Sequence, residues 1–158
     1  MNVRFATPDD YGQLLPLFLG LREFSRAGHP PQDDDFDVVL AATCEYLHEV
    51  LERGSECRTL LATQDGQIAG YLVVTVHEPN PLSSSGAVRT GSIDELFVDN
   101  AYRGLGAGSL LISAACDWLI EQRARRVEVG AYAWNSAGIA FYEREGFVPW
   151  TIALSKPL

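Results

Sequence analysis

Cysteine is scarce in this chain. Cys44, Cys57 and Cys116 are its three, widely spaced and in no C-x-x-C pair. That spacing speaks against a disulfide framework and a zinc site, and predicts reduced thiols in a cytosol. Histidine is equally sparse: His29, His48 and His77 share no metal-ligand spacing with one another or with the cysteines. No metal site is expected. No run of 18 apolar residues occurs, and residues 1–7 lack the apolar segment of a secretion signal, so a cytoplasmic protein without a membrane partner is expected. Basic residues are few, 12 against 21 acids, for a net charge of −9. That balance argues against a nucleic-acid groove or an anionic membrane as partner. It suits plain solubility, and it also suits a cationic small molecule.

What is present is ordinary for a folded domain: 158 residues, 47% of them apolar and 21% charged, enough for one core and one domain over residues 1–158. Residues 3–6 read as a short strand. Thr7, Pro8, Asp9 and Asp10 then start a helix, with Thr7 as N-cap and acids in the first turn. Pro16 and Gly20 interrupt its apolar stripe, which predicts a kink or break. Gly28, His29, Pro30 and Pro31 form a loop. Asp33, Asp34 and Asp35 precede a second helix with Phe36, Leu40, Cys44, Leu47 and Leu51 on one face. Residues 59–63 and 68–76 flank an Asp65-Gly66 hairpin turn. Residues 79–91 are a polar loop. After it come a strand (92–99), a helix with Leu110, Leu111, Ala114, Ala115, Trp118 and Leu119 on one face, a strand (126–132), a helix (137–145) closed by Gly146, and a final strand (147–154).

The richest segment runs from Ile93 to Gly108, where a strand enters a glycine-rich turn that opens directly onto a helix. Glycines let the backbone approach a ligand, and the unpaired N–H groups of the helix N-terminus attract negative charge. A Walker loop would need Lys followed by Ser or Thr after the last glycine, and Ser109-Leu110 stands there. The dinucleotide pattern G-x-G-x-x-G fails because position 109 is Ser109. What remains, Arg103-x-x-Gly106-x-Gly108 after an apolar strand, resembles the acetyl-CoA pyrophosphate loop of the GCN5-related N-acetyltransferase (GNAT) family. A second segment, Asn135-Ser136-Ala137-Gly138-Ile139-Ala140-Phe141-Tyr142 with Gly146-Phe147, is similar to that family's Asn-x-x-Ala-x-x-Phe-Tyr-x-x-x-Gly-Phe signature. The resemblance implies an α/β protein with the acyl-CoA N-acyltransferase fold. Its mixed central sheet would have six or seven strands flanked by about four helices, in the order β-α-α-β-β-β-α-β-α-β. Front strands would be antiparallel, with a parallel pair at the glycine loop.

Moving an acetyl group from a thioester to an amine requires that the donor be held, the oxyanion stabilised, the ammonium deprotonated and the leaving thiolate protonated. The resemblance assigns the holding of acetyl-CoA to Arg103 and to the amides of Gly104, Leu105, Gly106, Ala107, Gly108 and Ser109. The backbone of Leu96, Phe97 and Val98 would pair with the pantetheine arm, with an amide near Val98 against the thioester carbonyl. Tyr142 would donate to the departing sulfur; a core tyrosine is the plain alternative. Asn135 would touch the cofactor, cap the following helix, or do both. For a base the strand offers Asp94 and Glu95. Strand alternation sends adjacent side chains to opposite faces, and the resemblance favours Asp94 acting through water, with Glu95 second and no single base as a third case. Asp33, Asp34, Asp35 and Asp37 are a solvated helix start or a lure for a cationic amine. His77 is a candidate lining residue of the acceptor site.

The expected function is acetyl-CoA-dependent transfer to a primary amine of a small acceptor, by direct attack in a ternary complex. No cysteine lies in the motif strand or beside Tyr142 to support an acyl-cysteine route. The alternatives are a non-catalytic acyl-CoA-binding or sensing module of the same fold, and a dinucleotide-binding fold using Glu128, against which the missing third glycine weighs. Dimers are common in the resembled family, so a homodimer is possible. No motif in residues 15–35 or 77–91 names the acceptor.

Overall fold

A computed structural model of the chain describes residues 1–28, 35–82 and 87–156. His29, Pro30, Pro31, Asp33 and Asp34 lie outside the described residues, as does the middle of the expected polar loop. The elements are β1 (Asn2–Phe5), a 3-10 turn (Pro8–Asp10), α1 (Tyr11–Ala27), α2 (Phe36–Glu52), β2 (Cys57–Gln64), β3 (Gln67–His77), β4 (Thr90–Val98), a second 3-10 turn (Asn100–Tyr102), α3 (Ala107–Glu121), β5 (Arg126–Val129) and α4 (Ser136–Arg144). The five strands make one sheet in the order β1-β2-β3-β4-β5. Its first four strands are antiparallel, and β4 and β5 are parallel.

Two cores sit on the two faces of the sheet. Leu60, Leu72, Val74 and Ile93 meet Leu111, Ala115, Trp118 and Leu119 of α3 on one side. On the other, Leu61, Tyr71 and Val73 meet Leu14, Leu17 and Phe18 of α1 and Leu47 and Val50 of α2. Alternate side chains of β2 and β3 divide between these cores, as period-two geometry requires. The β2–β3 turn carries Asp65 and Gly66 at φ 52° and 79°, the left-handed pair that the Asp-Gly dipeptide favours.

Several sequence expectations are corrected. Helix α1 stays helical through Pro16: Leu14, Leu17 and Phe18, on both sides of the proline, are buried, which offsets the roughly 3 kcal/mol cost of an interior proline. The buried face of α2 is Thr43, Leu47 and Val50, and Phe36 is exposed. In α3, Ile112 takes the buried place expected of Leu110. Strand β5 ends at Val129 rather than at residue 132. The final strand over 147–154 does not form, so among the described residues the sheet has five strands and not six or seven. Phe147 still packs on the α3 core. Beyond it Pro149 has no N–H for a ladder, and Val148, Ile152 and Leu154 are exposed.

Candidate active site

A cleft of about 940 Å³ opens where β4 and β5 part. Their parallel pairing stops at Ile93 and Val129, so residues 94–98 of β4 have no β5 partner. The cleft is lined by this stretch, by the glycine turn, by α1 residues including Arg22 and Phe24, and by Asn135, Phe141 and Tyr142 of the α4 region. Residues that sequence reasoning drew from two separate motifs thus face one volume.

The turn is built by backbone geometry. Gly104 and Gly106 stand at φ 76° and 86°, with nothing within 4 Å of the place a Cβ would take; only glycine adopts such angles cheaply. Gly106 caps α3, and its carbonyl accepts from Leu110 N. The N–H groups of Ala107, Gly108 and Ser109 lie in the first turn and have no intrahelical partner. Leu105 is exposed, while Ala107 is buried beneath the turn. The Ser109 hydroxyl donates to Glu145 Oε1 at 2.6 Å. Arg103 Nε donates to the Val98 carbonyl at 3.0 Å, and its guanidinium lies over the rings of Phe97 (5.6 Å) and Phe24 (6.0 Å). The charge is held at the mouth of the turn.

Tyr142 lies between Phe141 and Phe147, meeting the latter edge-on at 5.6 Å. Loss of water around it pushes its phenol up to about 12, so the hydroxyl keeps its proton at neutral pH. Asn135 Oδ1 accepts from Gly138 N at 3.0 Å. It caps α4 and also lines the cleft.

The carboxylates depart most from expectation. Register on β3 passes from Val73 opposite Glu95 to Val74 opposite Ile93, which leaves Asp94 as the extra residue of a β-bulge. A bulge re-aims side chains, and here it cancels the alternation that would have sent Asp94 and Glu95 to opposite faces. Glu95 accepts from Arg22 and, at 2.8 Å, from the buried Tyr71 hydroxyl. Asp94 accepts from Thr75 Oγ1 and Ser92 Oγ, both at 2.6 Å. Tyr71 and Val73 belong to the α1–α2 core, and Thr75 alternates with them on β3, so both acids lie on that face.

Their environments differ. Glu95 is buried and ion-paired with Arg22; burial pushes its carboxyl up, opposed by Arg22 and by the Tyr71 hydrogen bond. Burial likewise pushes the Tyr71 phenol up, helped by the Glu95 charge. Asp94 is exposed and, among the described residues, bonds hydroxyls alone. Arg22, Tyr71, Thr75 and Ser92 were missed in the sequence, because only the bulge and the α1–β4 contact bring them to the acids. His77 reaches Ser92. His48 stacks on Tyr11 away from the cleft lining.

Comparison with known proteins bears on the family and the fold. The profile of the acetyltransferase (GNAT) family matches residues 20–147. An uncharacterised N-acetyltransferase of Bacillus subtilis, YhfO, is 29% identical over 147 residues, covering 93% of this chain and 89% of that protein. A mycothiol acetyltransferase of Salinispora tropica is 34% identical over 94 residues, 59% of this chain but 29% of that longer protein. Among solved structures, a mutant BH1408 protein of Bacillus halodurans superposes with a TM-score of 0.81 at 21% identity, covering 100% and 99% of the two chains. An aminoglycoside 6'-N-acetyltransferase of Acinetobacter haemolyticus gives 0.72 at 21% identity over 100% and 99%; at that identity both structures speak for the fold alone. By the breadth of the profile match and by its fold, the chain belongs to the GNAT family and is an N-acetyltransferase.

Proposed function

We propose that the chain transfers an acetyl group from acetyl-CoA to the primary amine of a small acceptor, by direct attack within a ternary complex. The observation that carries this reading is the convergence in one cleft of a glycine turn opening a helix, an unpaired strand edge, a protonated phenol and a carboxylate bonded, among the described residues, to hydroxyls. The cradle fits a diphosphate: positive-φ glycines keep the turn open, and a helix N-terminus supplies donors that complement negative charge. Arg103 would add a guanidinium, which binds phosphate oxygens in a forked geometry. Leu96, Phe97 and Val98 offer main-chain groups to an extended amide arm, and Asn135 stands beside it.

When bound, the thioester supplies an activated acyl carbon and a thiolate that must be protonated on leaving. The Tyr142 hydroxyl is the donor for that proton, since desolvation keeps it neutral. Asp94 is the base, taking the ammonium proton directly or through one water. Glu95 is held by Arg22 and Tyr71 and shapes the wall. None of Cys44, Cys57 and Cys116 lines the cleft, which favours direct attack over an acyl-cysteine route.

The acceptor class is tested by thiol release from acetyl-CoA with spermidine, kanamycin, lysine and an alanyl tetrapeptide. Turnover with at least one of these amines is the expected result. Acetyl-CoA binding without turnover on any of them would count against this reading.

A further inference from the structure

We propose that Asp94, Ser92 and His77 form a side-chain relay that carries the acceptor's ammonium proton from the cleft to solvent. The inference rests on the acetyl-transfer reading and adds two residues to it. The Ser92 hydroxyl lies 2.6 Å from Asp94 Oδ1 and 2.8 Å from His77 Nε2. Antiparallel pairing sets Thr75 opposite Ser92 and His77 opposite Thr90, which places these side chains on one face. The bulge then returns Asp94 to the same face. Thr75 Oγ1 occupies Asp94 Oδ2 at 2.6 Å, which fixes the carboxylate and leaves Oδ1 for Ser92. Asp94 lines the cleft whereas Ser92 and His77 do not, and His77 is exposed at the strand end. The chain of groups therefore runs from the cleft outward.

The proton balance closes with these three groups. The amine N–H bond breaks as an O–H bond forms on Asp94 Oδ1. With the imidazole hydrogen on Nδ1 and the Ser92 hydroxyl turned to Nε2, that proton passes to Ser92 Oγ while the hydroxyl's own hydrogen passes to Nε2. The imidazolium then loses its Nδ1 hydrogen to water. Ser92 is left donating to an ionised Asp94, with Nε2–H donating to Ser92. Tautomer exchange with water and rotation of the hydroxyl reset the relay. Imidazole is suited to the outer end, because it exchanges protons with water near neutrality.

Other charged and titratable groups border the relay. Glu95 and its partner Arg22 lie beside Asp94. Tyr46 on α2 and Cys57 on β2 both feel the Asp94 charge. Glu128 of β5 is opposite Ser92 and pairs with Arg126, and Glu78, next to His77, pairs with Arg89. Of the two adjacent acids, Asp94 is the one bridged through a hydroxyl to an imidazole; Glu95 is closed off by Arg22 and Tyr71.

The test uses the full chain, acetyl-CoA and whichever of spermidine, kanamycin, lysine and the alanyl tetrapeptide turns over fastest, from pH 6 to 9. Ser92→Ala and His77→Gln are each expected to lower kcat about tenfold, a modest share of what general acid–base catalysis contributes, with the KM for acetyl-CoA unchanged. The double variant should fall no further than either single variant. Ser92→Thr, which retains a hydroxyl, should keep the rate, and added imidazole should restore His77→Ala. Unchanged kcat in the single variants, losses that multiply in the double variant, or a loss confined to KM would overturn the relay while leaving acetyl transfer standing. A wild-type chain that turns over none of the four amines would instead remove the reading on which the relay rests.

Discussion

At the scale of single residues, the decisive one is Asp94, a bulge residue whose neighbour Glu95 holds a different task on the same face. Glu95 is ion-paired with Arg22 and anchored on Tyr71, whereas Asp94 accepts from the hydroxyls of Thr75 and Ser92. The acid and base of the proposed reaction are separated by environment: desolvation keeps Tyr142 protonated, and exposure keeps Asp94 accessible. Tyr142→Phe is therefore expected to lower kcat by about a hundredfold while the acetyl-CoA Kd, measured by calorimetry, stays within about twofold. A kcat retained in that variant would remove the phenol from the chemistry. Tyr142, Asn135 and the two acids were legible as candidates, because their types sit at motif spacing. That both acids share one face was not legible, since alternation is the rule for a regular strand and no residue type marks a bulge in advance.

At the scale of elements, the glycine turn shows local chemistry setting geometry without tertiary help. Gly106 stands at φ 86° with open space where a Cβ would stand, so replacing it with alanine brings backbone strain and no clash. Holding a non-glycine residue in that region costs roughly 1–2 kcal/mol, and the turn can relieve the strain by leaving its conformation. Gly106→Ala should accordingly weaken acetyl-CoA about tenfold in a calorimetric titration, with kcat at saturation much less affected. Undiminished affinity would mean that the turn does not grip the donor. The strand–turn–helix order was readable because each part carries its own signal: an apolar run, glycines, then an amphipathic repeat. Elsewhere local signals were outweighed. Pro16 did not end α1, because the burial of Leu14, Leu17 and Phe18 holds the helix together across it. The apolar alternation of 147–154 did not make a strand, because a strand needs a bonded neighbour that the pattern cannot supply.

At the scale of the whole molecule, one sheet with a core on each face holds the site, and β1 is one of its two edge strands. Arg4 of β1 ties that edge to the entry of α1 through Asp10, with contacts of 2.8 and 2.6 Å. The Arg4 hydrogen bonds, opposed by burial and helped by the Thr7 amide, hold the Asp10 carboxyl down to about 2, against about 3.9 in an unfolded chain. A depressed carboxyl contributes stability that is fully present above the unfolded value and is lost as pH falls through the folded one. Asp10→Asn is thus expected to cost about 2 kcal/mol in urea unfolding between pH 5 and 8. That difference should shrink below pH 4, be mostly gone at pH 2 and vanish below it; an undiminished difference at pH 2 would mean the carboxylate is not its source. By itself the sequence determined the order of elements through α4, the turn that opens α3 and the candidate side chains of the site, because helix periodicity, glycine φ preferences and functional-group chemistry are local properties. Tertiary structure alone decided that Asp94 shares a face with Glu95, that Arg22 pairs with one acid and not the other, and that β4 and β5 part to open the cleft. Those outcomes depend on register and packing between segments far apart in the chain, which no stretch of residues encodes within itself.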